Sequence, residues 1–156
     1  MALGLLTVAV IAMAVMAMAG PALAQSTTNP ITVDSGGDTI TADEKCTLRE
    51  AITNANDNKA TSATSADCAA GNSTGEDSIT FDLGASATIT LESALPRITD
   101  GAGLSIDGGQ MITVSGGDKV GVFHVDNSAR LDLKNLTVAK GSEGGSSAAA
   151  STTQAR

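Results

Sequence analysis

The sequence predicts an all-β fold, a parallel β-helix of about three coils with one N-terminal capping α-helix. After residue 77, short runs of alternating apolar and polar residues follow one another, and Gly, Asp or Asn separates most of them. Two of these segments, beginning at Leu104 and Leu131, match each other at a spacing of 27 residues. Such a spacing fits one supersecondary unit per repeat, and stacked repeats would align their inward Ile, Leu and Val in ladders.

An antiparallel sandwich is the alternative architecture for a chain of short strands. The sequence lacks strong two-residue hairpin signals flanked by long alternating strands, so the parallel solenoid is favoured. The chain length of 156 residues predicts one domain, and 17 Gly indicate many turns.

Charge and aromatic content narrow the classes of partner. The net charge of -8 and the pI near 4.3 argue against nucleic acid and anionic membranes. Two Phe, with no Trp or Tyr, leave little for an aromatic sugar-binding platform. The expected partner is an unspecified surface ligand, protein or glycan, and the chain is expected to be a monomer.

The N-terminus has the pattern of a secretory signal peptide. An uncharged apolar stretch runs over 2–19, Gly and Pro follow it, and Ala22 and Ala24 form an A-x-A cleavage site. We expect residues 1–24 to be removed, so that the mature chain begins at Gln25, has no membrane span, and is secreted or displayed at the cell surface. A retained membrane anchor is the alternative, since the apolar stretch is long enough.

Export favours a disulfide between Cys46 and Cys68, which would close a loop of roughly 20 residues and tie down its stretch 57–67, which has no apolar period. Free thiols are the next alternative. A metal site is disfavoured because no further soft ligands stand at suitable spacing.

The segment 46–56, CTLREAITNAN, predicts an amphipathic helix. Thr47 and Glu50 stand in the relation of a capping box at its start, and a run of Asn and Asp ends it. The apolar stripe of this helix consists of Leu48, Ala51, Ile52 and Ala55. We expect this stripe to cover the open end of the first coil. The residues expected to face solvent are Arg49, Glu50, Thr53 and Asn54.

The strands expected are short. They lie at 31–33, 39–41, 78–82, 87–91, 97–99, 104–107, 112–115, 122–126, 131–133 and 136–138. Residues 25–141 would form the capped β-helix domain, expected to be a fragment of a longer protein, and 142–156 a disordered or linker tail.

The sequence predicts no catalytic, cofactor-binding or metal-binding residues. His124 is the only histidine, and no nucleophile motif stands near it. Several Asp residues occupy turns and strand ends, where solvated turn carboxylates are favoured over a Ca2+ site because no D-x-D-x-D loop occurs. The residues concerned are Asp82, Asp100, Asp107, Asp118, Asp126 and Asp132.

The motif at 46–56, followed by a Cys-containing loop, EDSITFDL at 76–83, LSIDGG at 104–109, FHVD at 123–126 and LDLKNLTVAKG at 131–141, resembles the bacterial CSLREA-type family. Those are exported proteins with right-handed parallel β-helix repeats of the pectin-lyase-like or polymorphic-outer-membrane-protein type. The resemblance covers roughly residues 31–141, and Thr47 stands where Ser is commoner.

This resemblance implies a right-handed β-helix and export, and it says little about chemistry. The function expected is that of a non-catalytic secreted or cell-surface segment for structural display or adhesion. The alternative is the N-terminal part of a β-helix polysaccharide lyase or hydrolase whose active site lies beyond this chain.

Overall fold

The computed structural model describes residues 30–60 and 67–142. The predicted signal peptide, with its cleavage residues Ala22, Ala24 and Gln25, lies outside the described residues, as does the tail from 143 onward. Within the described residues no helix combines the length and apolar character needed to cross a bilayer.

The predicted helix is confirmed as α1, Leu48–Asp57. Thr47 is its N-cap, and both bonds of the predicted capping box are present. The helix ends at Asn58, whose left-handed backbone conformation (φ 53°) suits an Asn at a helix C-terminus.

In residues 30–60 and 67–142, five strands form one sheet. They are β1 (Ile31–Val33), β2 (Asp77–Phe81), β3 (Ala87–Thr90), β4 (Leu104–Ser115) and β5 (Leu131–Ala139). All four strand pairs are parallel, which excludes the antiparallel sandwich for the described residues.

The long strand β4 is the centre of the sheet. One side of it pairs with β2 along 104–106 and with β3 along 112–115, so β2 and β3 lie end to end. The other side pairs with β5 along both of those segments. The short strand β1 pairs with β2 and lies outside it.

The predicted β-helix of three coils is wrong. The described residues form one parallel sheet that curls like half a barrel. LSID and ITVS were expected as separate strands on either side of a corner, but they run together as β4, because pairing with β5 continues on both sides of a bulge between Asp107 and Ile112. The same holds for β5, which joins the two short strands predicted at 131–138.

The other strand predictions fail in part. Residues 39–41 form no strand, and 97–99 and 122–126 meet only through the isolated parallel bridge between Ile98 and Val125. A β-helix needs a strand on each face of every coil. The described residues therefore lack the third sheet that would close the cross-section of a solenoid.

The core joins the apolar side of α1 to buried residues of the sheet. Leu48, Ala51, Ile52 and Ala55 are buried, as predicted, in one cluster with residues of β1, β2 and β4. The helix packs against β1 and β2. Its opposite side is not the solvent-facing surface predicted, since Glu50 and Asn54 are 2% and 1% exposed.

Candidate functional site

The start of α1 holds two buried polar residues, Thr47 and Glu50, next to the buried Cys46. Cys46, which precedes the N-cap, forms the predicted disulfide with Cys68. Both cysteines are buried, and their Cα atoms lie 4.9 Å apart. This bond joins the helix start to the segment that leads into β2, and it leaves neither thiol free.

The capping box also ties α1 to the chain before it. Glu50 Oε2 accepts from the Thr47 backbone N–H at 2.9 Å, while Oε1 accepts from the Thr41 N–H at the same distance. The Thr47 hydroxyl donates to the Thr39 carbonyl, also at 2.9 Å. The cap therefore satisfies the helix N-terminus and holds the loop from β1 in place.

Arg49 forms an ion pair with Asp38 through several hydrogen bonds. Its guanidinium donates two bonds to Asp38 Oδ1, at 3.1 and 2.8 Å, and one to Oδ2 at 2.9 Å. Only 12% of the Arg49 side chain and 4% of the Asp38 side chain are exposed. The prediction that Arg49 faces solvent is wrong, because a charge 11 residues earlier in the chain folds back onto it.

The same ion pair anchors a third segment, the turn after β3. Arg49 donates to the carbonyl oxygens of Ser93 and Ala94 at 2.8 Å each. Asp38 Oδ2 accepts from the Glu92 backbone N–H at 2.7 Å. We call Arg49, Asp38 and these backbone groups the arginine clamp, since together they connect α1, the loop after β1 and the turn after β3.

Two asparagines of α1 complete the attachment. Asn54 donates to the carbonyls of Cys68 and Ala69, and Asn56 both donates to the Arg97 carbonyl and accepts from the Thr99 N–H. Sequence reasoning missed these roles, because a helical Asn near a C-terminus reads as a stop signal. The hydrogen-bond partners of the two asparagines lie 14 to 43 residues away in the chain, so no local sequence pattern predicts these bonds.

A pair of acids, Asp77 and Asp100, lies where β2 meets β4. Asp77 is 2% exposed, and the Oδ2 atoms of both residues are buried without a protein hydrogen-bond partner. Burial, together with the charge and the hydrogen-bonding side chain of Asp100, raises the pKa of Asp77 to about 6, against the lowering effect of the Asn72 N–H. A hydrogen bond to Asp100 favours the protonated form of Asp77, which is also the form that burial favours.

Asp107 shows the opposite behaviour at the bend of β4. Its Oδ1 accepts from the Gly109 N–H at 2.9 Å and from the Asn135 amide at 3.0 Å. These bonds lower the pKa of Asp107, since they stabilise its ionised form. This carboxylate fastens the bends of β4 and β5 to each other.

His124 is half-buried. Its carbonyl accepts from the Ile98 N–H at 2.8 Å, which belongs to the isolated bridge. Among residues 30–60 and 67–142, no three His, Cys, Asp or Glu side chains are placed to hold a metal ion.

The geometry thus accounts for nearly every side chain of CTLREAI as a connection within the molecule. Comparison with known proteins found no match, neither to a family model, nor to a curated protein, nor to a solved structure. The likeness to CSLREA-type proteins therefore stays a prediction.

Proposed function

We propose that this chain is an exported, non-catalytic segment that serves structural display or adhesion at the cell surface or outside the cell. One observation carries the proposal: the polar side chains of the motif at 46–52 are engaged with the chain itself. Cys46 is in the disulfide, Thr47 and Glu50 cap the helix, and Arg49 is in the arginine clamp. Groups so engaged hold a scaffold together and are not available to a substrate.

Export is supported by two independent features. The N-terminal apolar stretch ends in the A-x-A site at Ala22 and Ala24, and the cysteine pair suits an oxidising compartment. The likeness of the motif to CSLREA-type exported proteins supports the same proposal. The ligand that such a segment would present or bind is a protein or a glycan.

Export is tested by expressing the full chain in a bacterium and sequencing the N-terminus of the protein recovered outside the cytoplasm. We expect it to begin at Gln25. A matched variant, Ala24→Arg, should block cleavage, because the site requires a small residue. Recovery of wild-type protein in the membrane with residues 1–24 attached would contradict the proposal.

The second candidate is the N-terminal part of a polysaccharide lyase or hydrolase. One observation favours an enzyme, although it places the candidate acid within this chain and not beyond it as the sequence predicts: Asp77 has a raised pKa and a carboxyl partner, as catalytic acids often do. Incubation with polygalacturonate, with and without Ca2+, and detection of unsaturated product separates the two candidates. We expect no turnover. Turnover that disappears in Asp77→Asn would replace the proposed function with the enzymatic one.

A further inference from the structure

Strand β5 leaves one whole edge of the sheet without a partner among the described residues. It pairs with β4 on one side, and no described strand pairs with it on the other. At nine residues it is much longer than β1, which has three and lies against α1. Unpaired edges of this length are templates for another strand.

The side chains of β5 are also incompletely covered. In β4, the core residues Leu104, Ile106, Ile112 and Val114 are at most 4% exposed. Their register partners in β5 are only half-buried, and these are Leu131, Leu133, Leu136 and Val138. The apolar ladder therefore reaches the edge of the sheet without being closed by a further strand.

The backbone N–H and C=O groups of the same four residues point toward the open edge of the sheet. The carbonyls of Arg130 and Ala139 accept from Leu104 and Gly116, so both residues point toward β4. Because the direction alternates along a strand, the N–H and C=O groups of the four apolar residues point away from β4. The alternation restarts at Asn135, whose positive φ of 49° marks the bend.

The four apolar residues, at 131, 133, 136 and 138, are spaced symmetrically about the centre of β5. If a second β5 runs antiparallel to the first, Leu131 lies opposite Val138 of the other copy, and Leu133 lies opposite Leu136. All four residues then face one another as hydrogen-bonded pairs, with their side chains on the core face. A shift of two residues in either direction would place a Lys opposite a Leu, at 140 opposite 131 or at 134 opposite 133.

Charge agrees with this register. Opposite Asp132 stands Thr137, opposite Lys134 stands Asn135, and opposite Arg130 stands Ala139, so no like charges are opposed. The bends of the two β5 strands also coincide. Lys134 and Asn135 of one copy lie opposite Asn135 and Lys134 of the other, on either side of the two-fold axis. Residues 143–156 contain no large apolar side chain that would cover the ladder.

We infer that two copies of this chain associate through β5, antiparallel and two-fold symmetric, to form one continuous sheet with an α1 cap at each far end. This isologous contact closes on itself, so association stops at the dimer. The inference differs from the monomer expected from the sequence, and it does not depend on the proposed function.

Solution mass is the first test. Sedimentation equilibrium over a concentration series should show a monomer–dimer equilibrium. Leu133→Asp should raise the dissociation constant at least about tenfold, because each dimer would bury two carboxylates. Thr88→Asp, which adds the same charge at an exposed position of β3, should leave it unchanged. A wild-type protein that is monomeric at every concentration overturns the inference.

Cross-linking tests the register without altering an apolar residue. Asp132→Cys and Thr137→Cys would stand in a non-hydrogen-bonded pair, with Cα atoms about 4.5 Å apart, within disulfide reach. Mixing the two single variants under mild oxidation should give a linked dimer. Each variant alone, and a mixture of Asp132→Cys with Thr88→Cys, should not. Equal linkage in all samples overturns the register.

Hydrogen exchange identifies the occupant of the edge. The amides of Leu131, Leu133, Leu136 and Val138 should be protected in the dimer and exchange fast in monomeric Leu133→Asp. If they are protected in a monomeric wild-type protein, residues of the same chain cover β5, and the inference fails.

Discussion

The two ends of the sheet carry the same kind of apolar side chains but bury them to different extents. At the β1 end, Ile31 and Val33 are 1% and 0% exposed, because α1 lies against the strand. At the β5 end, Leu131 and Val138 are half-buried, and no described helix covers them. Coverage by a second layer, rather than the apolar content of a strand, decides which end is closed.

The difference extends to polar contacts. The capped end holds the buried disulfide and capping box, and the ion pair of the arginine clamp, whose side chains are 12% and 4% exposed. The ion pairs nearer the open end, such as Arg97–Asp126 and Arg130–Glu76, have side chains 39 to 62% exposed. Exposed pairs contribute little, so the capped end should dominate the stability of the fold.

The largest effect is expected from a charge placed beneath the cap. Ile52 is fully buried, so Ile52→Asp should lower the free energy of unfolding by about 4 kcal/mol or more. Leu133→Asp at the open end, measured at concentrations where it is monomeric, should cost about 1 kcal/mol, because its carboxylate reaches water. Urea unfolding of both variants checks the pair. Equal losses would contradict the comparison.

The next largest loss in the free energy of unfolding is expected at the arginine clamp. Asp38→Ala leaves the Arg49 guanidinium buried without its carboxylate, and we expect a loss of about 3 to 5 kcal/mol. The matched change at an exposed pair, Asp126→Ala, should cost about 1 kcal/mol or less. Thermal unfolding in low and high salt distinguishes them further, since only the exposed pair is strongly screened.

A pH-dependent effect is expected between the two ends, at the acid pair. The raised pKa of Asp77 means that its contribution to stability is present below its ordinary pKa and is lost as pH rises through about 6. A shift from 3.8 to about 6 corresponds to about 3 kcal/mol. Asp77→Asn should therefore be more stable than the wild type at pH 8, and the advantage should vanish near pH 4.

Asp107 serves as a control, because its pKa is shifted in the opposite direction and stability should depend on its ionisation in the opposite sense. Because its pKa is lowered, its contribution is present at neutral pH and lost on acidification. Asp107→Asn should therefore lose stability at pH 8 relative to the wild type. Identical pH profiles for the wild type and Asp77→Asn would refute the role of the acid pair.

The smallest effect is expected at the N-cap. Thr47→Ala should cost about 1 kcal/mol, since it removes one hydroxyl from the helix start, and Thr47→Ser should be nearly neutral. Circular dichroism during thermal unfolding measures both. A Thr47→Ala protein as stable as Thr47→Ser would show that Glu50 alone holds the cap.

The site was predictable where its contacts are short in sequence. The spacing of Thr47 and Glu50 identified the cap, and the apolar stripe through Ile52 identified the buried side of α1. For Arg49 the sequence prediction is wrong, because its position on the helix points outward and only the tertiary approach of Asp38 and the turn after β3 covers it.

By itself, the amino-acid sequence determined α1 with its cap, the cysteine pairing, the alternating strands and the repeat that aligns Leu104 with Leu131. These features depend on neighbouring residues or on a regular period. Tertiary structure alone decided that β4 and β5 run unbroken through their bends, and that Asp77 meets Asp100. Such outcomes arise from pairings 23 or more residues apart, whose free energy depends on where distant segments lie when the chain is folded.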